Sequence, residues 1–202
     1  MRGKAFSSVS TIPCRRLSEM GHIHLVTGGS RSGKSDHARR LAEDLPGPRT
    51  FIATCPVTDE EMERRVERHR RERAGAGWVT AEEEVQVVHA LREAGSSGVV
   101  LVDCLTLWVN NLMYEAERAG KVFGEDEVSA RANDLITACR AASATVILVT
   151  NEIGMGIVPD NALARRYRDL VGRCNQVVAA AADRVTLVVS GIPVELRKKG
   201  DT

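Results

Sequence analysis

The stretch Gly28–Ser35, GGSRSGKS, constrains this chain more than any other. Its pattern G-x-x-x-x-G-K-S puts Gly28, Gly33, Lys34 and Ser35 where a polyanion is gathered. Glycines let backbone N–H groups close around phosphates, the lysine reaches the β and γ oxygens, and the hydroxyl can ligate Mg²⁺. The flanks agree. His22–Thr27 (HIHLVT) reads as a short apolar strand running into the glycines, and Ser35–Asp44 reads as a helix. The positive end of that helix dipole faces the anion. A tight glycine turn without a ligand would share the spacing but does not need this strand–loop–helix setting.

Four more runs read as strands: Thr50–Thr54 (TFIAT), Gly98–Asp103 (GVVLVD), Thr145–Thr150 (TVILVT) and Arg184–Ser190 (RVTLVVS). They are nearly continuous in Val, Ile and Leu, as strands covered on both faces are in parallel sheets. Helices lie between them. Thr58-x-x-Glu61 is a capping box, with Val57 and Met62 as its staple, and opens a helix to about Arg73. Leu163, Tyr167, Leu170, Val171, Cys174, Val177, Val178 and Ala181 form one apolar stripe on a long helix. Ala74–Gly77 and Ala94–Gly98 are loops. The alternation predicts an α/β P-loop NTPase (RecA-like) three-layer fold with a mostly parallel central sheet.

With 202 residues, no internal repeat and no linker, residues 21–202 are expected to form a single domain. Residues 1–20 differ: Arg2, Lys4, Arg15 and Arg16, several serines, and no acid before Glu19. They lack the apolar stretch of a secretory signal. Their composition loosely fits an organellar transit peptide; a disordered extension, or an upstream start with Met20 as the true beginning, is the plainer expectation.

A net charge of +1 gives no reason to expect nucleic acid or an anionic membrane as partner, and 3% aromatics leaves no platform for stacking bases. No run is long enough for a membrane span. Cys14, Cys55, Cys104, Cys139 and Cys174 make no C-x-x-C pair, which suits reduced thiols in a cytoplasmic protein and neither a disulfide frame nor a zinc site.

Mg²⁺ needs a second acidic partner at the end of a neighbouring strand. Asp103 has that position, and the P-loop favours this use over the alternative of capping the helix that begins near Thr106. His69 stands among six arginines, Arg64, Arg65, Arg68, Arg70, Arg71 and Arg73. A solvated helix with acid–base pairs such as Glu61–Arg65 and Glu67–Arg71 accounts for part of this segment. It does not require a histidine. A neutral imidazole is a competent nucleophile towards phosphorus, and adjacent arginines disfavour its protonation and bind phosphate oxygens. His22 and His24 in the first strand read as structural, and His89 lies on a surface helix.

Taken together, HLVTGGSRSGKS, FIAT, DEEMERRVERHRRER, the W-x-T-A-E of Trp78–Glu82, LVDCLTLWVNNL, VTNEIGMGIVPDNALARRYRDLVGRCNQVVAAAAD and VVSGIPV resemble the bifunctional adenosylcobinamide kinase / adenosylcobinamide-phosphate guanylyltransferase family. The resemblance covers residues 22 to about 197, and VTNEIGMGIVP is its most specific segment. It implies phosphorylation of the aminopropanol hydroxyl of adenosylcobinamide by ATP or GTP. Transfer of GMP from GTP to that phosphate then follows, through a guanylyl-histidine that corresponds to His69. Nucleotide contacts are implied at Thr27, Gly28, Gly29, Ser30, Arg31, Ser32, Gly33, Lys34 and Ser35. Further contacts are implied at Ala53, Thr54, Cys55, Arg70, Arg71, Glu72, Arg73, Glu82 and Asp103, with Mg²⁺ on Ser35 and Asp103. A homotrimer is implied as well. A simple small-molecule kinase would explain the P-loop and Asp103 but leave His69 and Glu82 without a task; a nucleotide switch with a protein partner needs loops ordered by the γ-phosphate. Asn151–Asp160, glycine-rich and following a strand end, is the candidate wall for the corrinoid.

Overall fold

The computed structural model describes residues 21–56, 71, 75–94 and 98–199. Its strands are β1 (His22–Gly28), β2 (Arg49–Ala53), β3 (Trp78–Glu82), β4 (Val99–Asp103), β5 (Thr145–Val149), β6 (Arg184–Val189) and β7 (Ile192–Lys198). They form one seven-stranded sheet in the order β3-β2-β4-β5-β1-β6-β7. All pairings are parallel except that of β7, which runs antiparallel to β6. The described helices are α1 (Lys34–Glu43), α2 (Val87–Glu93), α3 (Leu105–Arg118), α4 (Glu125–Ala141) and α5 (Ala162–Ala181).

The unbroken apolar runs have the expected cause. In β4, Val100 and Val102 pack on one face while Val99 and Leu101 pack on the other; β5 divides Val146 and Leu148 from Ile147 and Val149 in the same way. One face is covered by α2, α3, α4 and α5, the other by α1 through Ala38 and Ala42. The apolar stripe of the long helix is real: Leu170, Val171, Cys174 and Val178 are buried on α5. His24 is buried in β1 with Nε2 2.8 Å from Thr186 Oγ1. Burial first, and nearby Arg184 second, bring its pKa down to about 4, so it stays neutral as a structural group.

At the amino-terminal edge of the sheet, Asp183 closes the core. Its carboxylate accepts from Ile23 N (2.8 Å), Arg140 Nη1 (2.5 Å) and Arg140 Nη2 (2.9 Å). Burial alone would raise this carboxyl, but the hydrogen bonds from Arg140, Ile23 and Lys199 outweigh it and hold the group well below the usual carboxylate range. The stabilisation is therefore complete above the ordinary carboxylate pKa and fades as pH falls through the depressed folded value. We expect Asp183→Asn to cost on the order of 2 kcal/mol at neutral pH. Urea unfolding at neutral and acidic pH should show the gap from wild type narrowing with acidification.

The five expected strands are present within a residue of their expected bounds at each end. Two strands are additional. β3 is an edge strand of mixed character, and all seven residues of β7 are exposed, with Pro193, Glu195, Arg197 and Lys198 interrupting any apolar run. The turn before β7 did carry a signal. Ser190 and Gly191 both have positive φ (51° and 80°), the two-residue hairpin geometry that a Ser-Gly pair favours. The helix expected from Thr58 to about Arg73 lies outside the described residues, apart from an exposed Arg71. No helix among the described residues is long and apolar enough to cross a membrane. Cys55, Cys104, Cys139 and Cys174 are free thiols, and the last three are buried.

Candidate active site

The P-loop leaves β1 at Gly28 and enters α1 at Lys34. Its glycines are dictated by space and conformation. A Cβ on Gly28 would lie 2.5 Å from Val188 O and 2.6 Å from Ser32 Oγ, so a side chain there would force the loop open. Gly33, the residue before α1, has φ +88°, which only glycine adopts without strain. Arg31 at the exposed apex is also left-handed (φ 57°), strain of the kind that collects at binding loops. The hairpin turn between β6 and β7 braces the loop from behind, with Gly191 N donating to Ser32 O at 2.8 Å. Lys34 is 8% exposed and folds its ammonium back over the loop, with Nζ donating to Gly29 O at 3.1 Å. Ser35 is half-buried in the first turn of α1.

The parallel register aligns the other expected residues on the same edge. Glu82 pairs with Ala53, Ala53 with Asp103, Asp103 with Val149 and Val149 with Val26. Asp103 therefore stands two strands from the P-loop strand, about 10 Å, and Glu82 two strands farther, about 10 Å again. The helix after Asp103 has Cys104 at its N-cap with no side-chain cap, so Asp103 does not cap it. Asp103 is half-buried, and among the described residues no donor meets its carboxylate. With the Ser35 hydroxyl this gives an oxygen-only pair, the donor type that suits a magnesium ion shared with substrate phosphates.

Thr27 and Thr54 make their side-chain hydrogen bonds within the protein. Thr27 is buried and gives its hydroxyl to Glu152 Oε1 at 2.7 Å. Thr54 is buried and pins the end of β4, donating to Cys104 O (2.8 Å) and accepting from Cys104 N (2.7 Å). Cys55 is half-buried beside them. Gly29, Ser30 and Arg31 are exposed, while Ser32 is buried. His69, Arg70, Glu72 and Arg73 lie outside the described residues; Arg71 is exposed.

The family model described as cobinamide kinase / cobinamide phosphate guanyltransferase matches residues 24–196, a span holding the P-loop, Asp103 and the β6–β7 turn. The chain belongs to this family. The cobinamide kinase family includes a bifunctional adenosylcobalamin biosynthesis protein, CobU, of Escherichia coli strain K12. It is 43% identical over 182 residues, covering 86% of this chain and 98% of that protein. The protein of the same name from Salmonella typhimurium strain LT2 is 43% identical over 180 residues, covering 86% and 98%. CobP of Pseudomonas aeruginosa PAO1, also described as a bifunctional adenosylcobalamin biosynthesis protein, is 40% identical over 174 residues, covering 86% and 96%.

The geometry adds residues that the sequence did not single out in this family member. Glu152 follows β5, the strand between β1 and β4, and its backbone N–H donates to Gly28 O at 3.2 Å. Behind it runs a buried polar chain. Asn175 Nδ2 donates to Asn151 O (3.0 Å), Thr150 Oγ1 donates to Asn175 Oδ1 (2.7 Å), and Asn151 N donates to Thr106 Oγ1 (2.8 Å). These four hydrogen-bonded residues tie the loop after β5 to α3 and α5. Its signal was available: Glu152, like Asp103, is an acid at the carboxyl end of an apolar strand.

The segment beyond is apolar and open. Met155, which ends a short 3₁₀ turn at Ile153–Met155, and Ile157 and Val158 beyond it are 79%, 95% and 59% exposed. Arg165 Nη1 holds the end of the segment through Pro159 O (2.9 Å) and Asp160 O (2.6 Å). The helix that follows contributes Leu163 and Tyr167 to a cavity of about 450 Å³, with Met113, Tyr114 and Phe123 opposite.

Proposed function

We propose that this chain phosphorylates adenosylcobinamide with ATP or GTP and then transfers GMP from GTP to the new phosphate, giving adenosylcobinamide-GDP and pyrophosphate. The observation that carries the reading is the Lys34 ammonium folded over Gly29 at the edge of the parallel sheet where Asp103, through Val149, is in register with Val26 of β1. In the kinase step the amides of Gly28–Ser35 and the Lys34 ammonium draw charge from the γ-phosphoryl as it moves. Ser35 and Asp103 would hold Mg²⁺, which when bound neutralises charge on the β and γ oxygens. In the second step the imidazole of His69 attacks the α-phosphorus and pyrophosphate leaves; the substrate phosphate then displaces the histidine. Arg70, Arg71, Glu72 and Arg73 flank that nucleophile in sequence. Ala53, Thr54, Cys55 and Glu82 continue the same sheet edge and take the nucleoside end of GTP.

The corrinoid acceptor lies against Met155, Ile157 and Val158, whose exposure suits a broad, partly apolar ligand. The chain works as a homotrimer in this reading, and the exposed Ile192, Val194 and Leu196 of the β7 edge give a subunit contact something to cover. Incubation of the purified protein with magnesium, adenosylcobinamide and GTP tests the assignment. Adenosylcobinamide-GDP and pyrophosphate are the expected products. A phosphate ester without pyrophosphate would reduce the chain to a simple kinase.

A further inference from the structure

Phosphoryl transfer to an alcohol needs somewhere for the hydroxyl proton to go, and the carboxylates at the site are not equivalent. Lys34 Nζ bonds to Gly29 O, so the ammonium that reaches the β and γ oxygens sits over the first residues of the loop. The terminal phosphoryl therefore belongs near Gly28 and Gly29. Glu152 is fastened to that end by its own backbone, N to Gly28 O at 3.2 Å. Its side chain is half-buried and held by one oxygen only. Oε1 accepts from Thr27 Oγ1 (2.7 Å) and faces Asn175 Nδ2 (3.4 Å), while no described residue bonds to Oε2.

The other acids on this edge are engaged or distant. Glu83 Oε1 accepts from Val85 N (2.9 Å) and Gln86 N (2.7 Å), at the start of α2. Glu82 ends β3, four strands from β1. Asp103 is placed for the metal.

We propose that Glu152 is the general base of the kinase step, an inference that rests on the kinase reading above. The acceptor hydroxyl oxygen forms a bond to the γ-phosphorus as its proton passes to Oε2 of Glu152. The bond from the γ-phosphorus to the β,γ-bridging oxygen breaks, and its electron pair leaves with the nucleoside diphosphate. Thr27 and Asn175 aim the carboxylate by holding Oε1. That gives the buried Thr27 hydroxyl a task in aiming the carboxylate.

Glu152→Gln separates this role from a structural brace, because the amide oxygen still accepts from Thr27 but takes no proton. Adenosylcobinamide-dependent ADP formation from ATP should lose about 100-fold or more in kcat. The acid limb of the kcat–pH profile should flatten, and Glu152→Asp should recover part of the rate. ATP affinity and protein labelling by α-labelled GTP should stay at wild-type levels. A Glu152→Gln enzyme with wild-type kcat would overturn the proposal. So would parallel loss of ATP binding, which would make Glu152 a brace of the loop. If the wild type itself forms no ADP with adenosylcobinamide, the kinase reading fails instead.

Discussion

Lys34→Ala should abolish both phosphoryl and guanylyl transfer while leaving the fold intact. Lys34 is 8% exposed, and its ammonium sits on Gly29 O over the phosphate loop. A charge-assisted hydrogen bond to phosphate is worth about 1.5–3 kcal/mol in the ground state. A positive group on a moving phosphoryl contributes more, roughly 10³-fold or beyond in rate. ADP formation should therefore fall by about that factor in kcat/KM, with a weaker loss in nucleotide affinity measured by calorimetry. Stability should not fall in step. Removing a buried charge relieves its desolvation, and alanine is a better helix former at the start of α1. Lys34→Arg should not rescue, because a planar fork does not replace a compact ammonium in a cradle built by backbone amides. Equal loss of activity and melting temperature in Lys34→Ala would show that the residue holds the loop and not the ligand.

His69→Ala should divide the two steps. The nucleophile towards the α-phosphorus is gone, so pyrophosphate release from GTP should drop to background. Phosphorylation of adenosylcobinamide, proposed above to use Lys34, Ser35, Asp103 and Glu152, should continue. Product analysis would show the phosphate ester accumulating without the GDP derivative. Loss of both activities would place His69 in the shared nucleotide site and not on the transfer itself.

Much of this architecture is legible in the residues, for identifiable reasons. Runs such as VVLVD and TVILV have no polar alternate because both sheet faces are covered, and that pattern alone announces a parallel sheet. The P-loop is legible because its glycines answer local demands: Gly33 must take a positive φ, and Gly28 has Val188 O where a side chain would go. Edge strands are harder. β7 is exposed along its whole length, so nothing in Ile192–Lys198 is required to be apolar in sequence, and only the Ser190–Gly191 turn hints at a hairpin.

The site was legible in part. Asp103 and the loop stand out because strand ends in a parallel sheet gather ligands. Whether Asp103 served a metal or a helix cap could not be read from the text; the N-cap at Cys104 removes the second use. The resemblance implies a nucleotide contact at Thr27 but not its hydrogen bond to Glu152, a partner 125 residues away in sequence. Long-range pairs of that kind leave no spacing to read. Glu152 went unnoticed as an individual residue because its significance is the backbone bond to Gly28, which appears only when β5 lies beside β1.

One experiment reaches the central claim, that a phosphate cradle and a histidine nucleophile act on GTP in this one chain. The protein is incubated with magnesium and GTP labelled at the α-phosphorus, then denatured and digested. The account predicts label retained on the peptide bearing His69, lost in acid, stable in base, and absent from His69→Ala. Formation of adenosylcobinamide-GDP with no label ever held by the protein, or label that persists in His69→Ala, would contradict it.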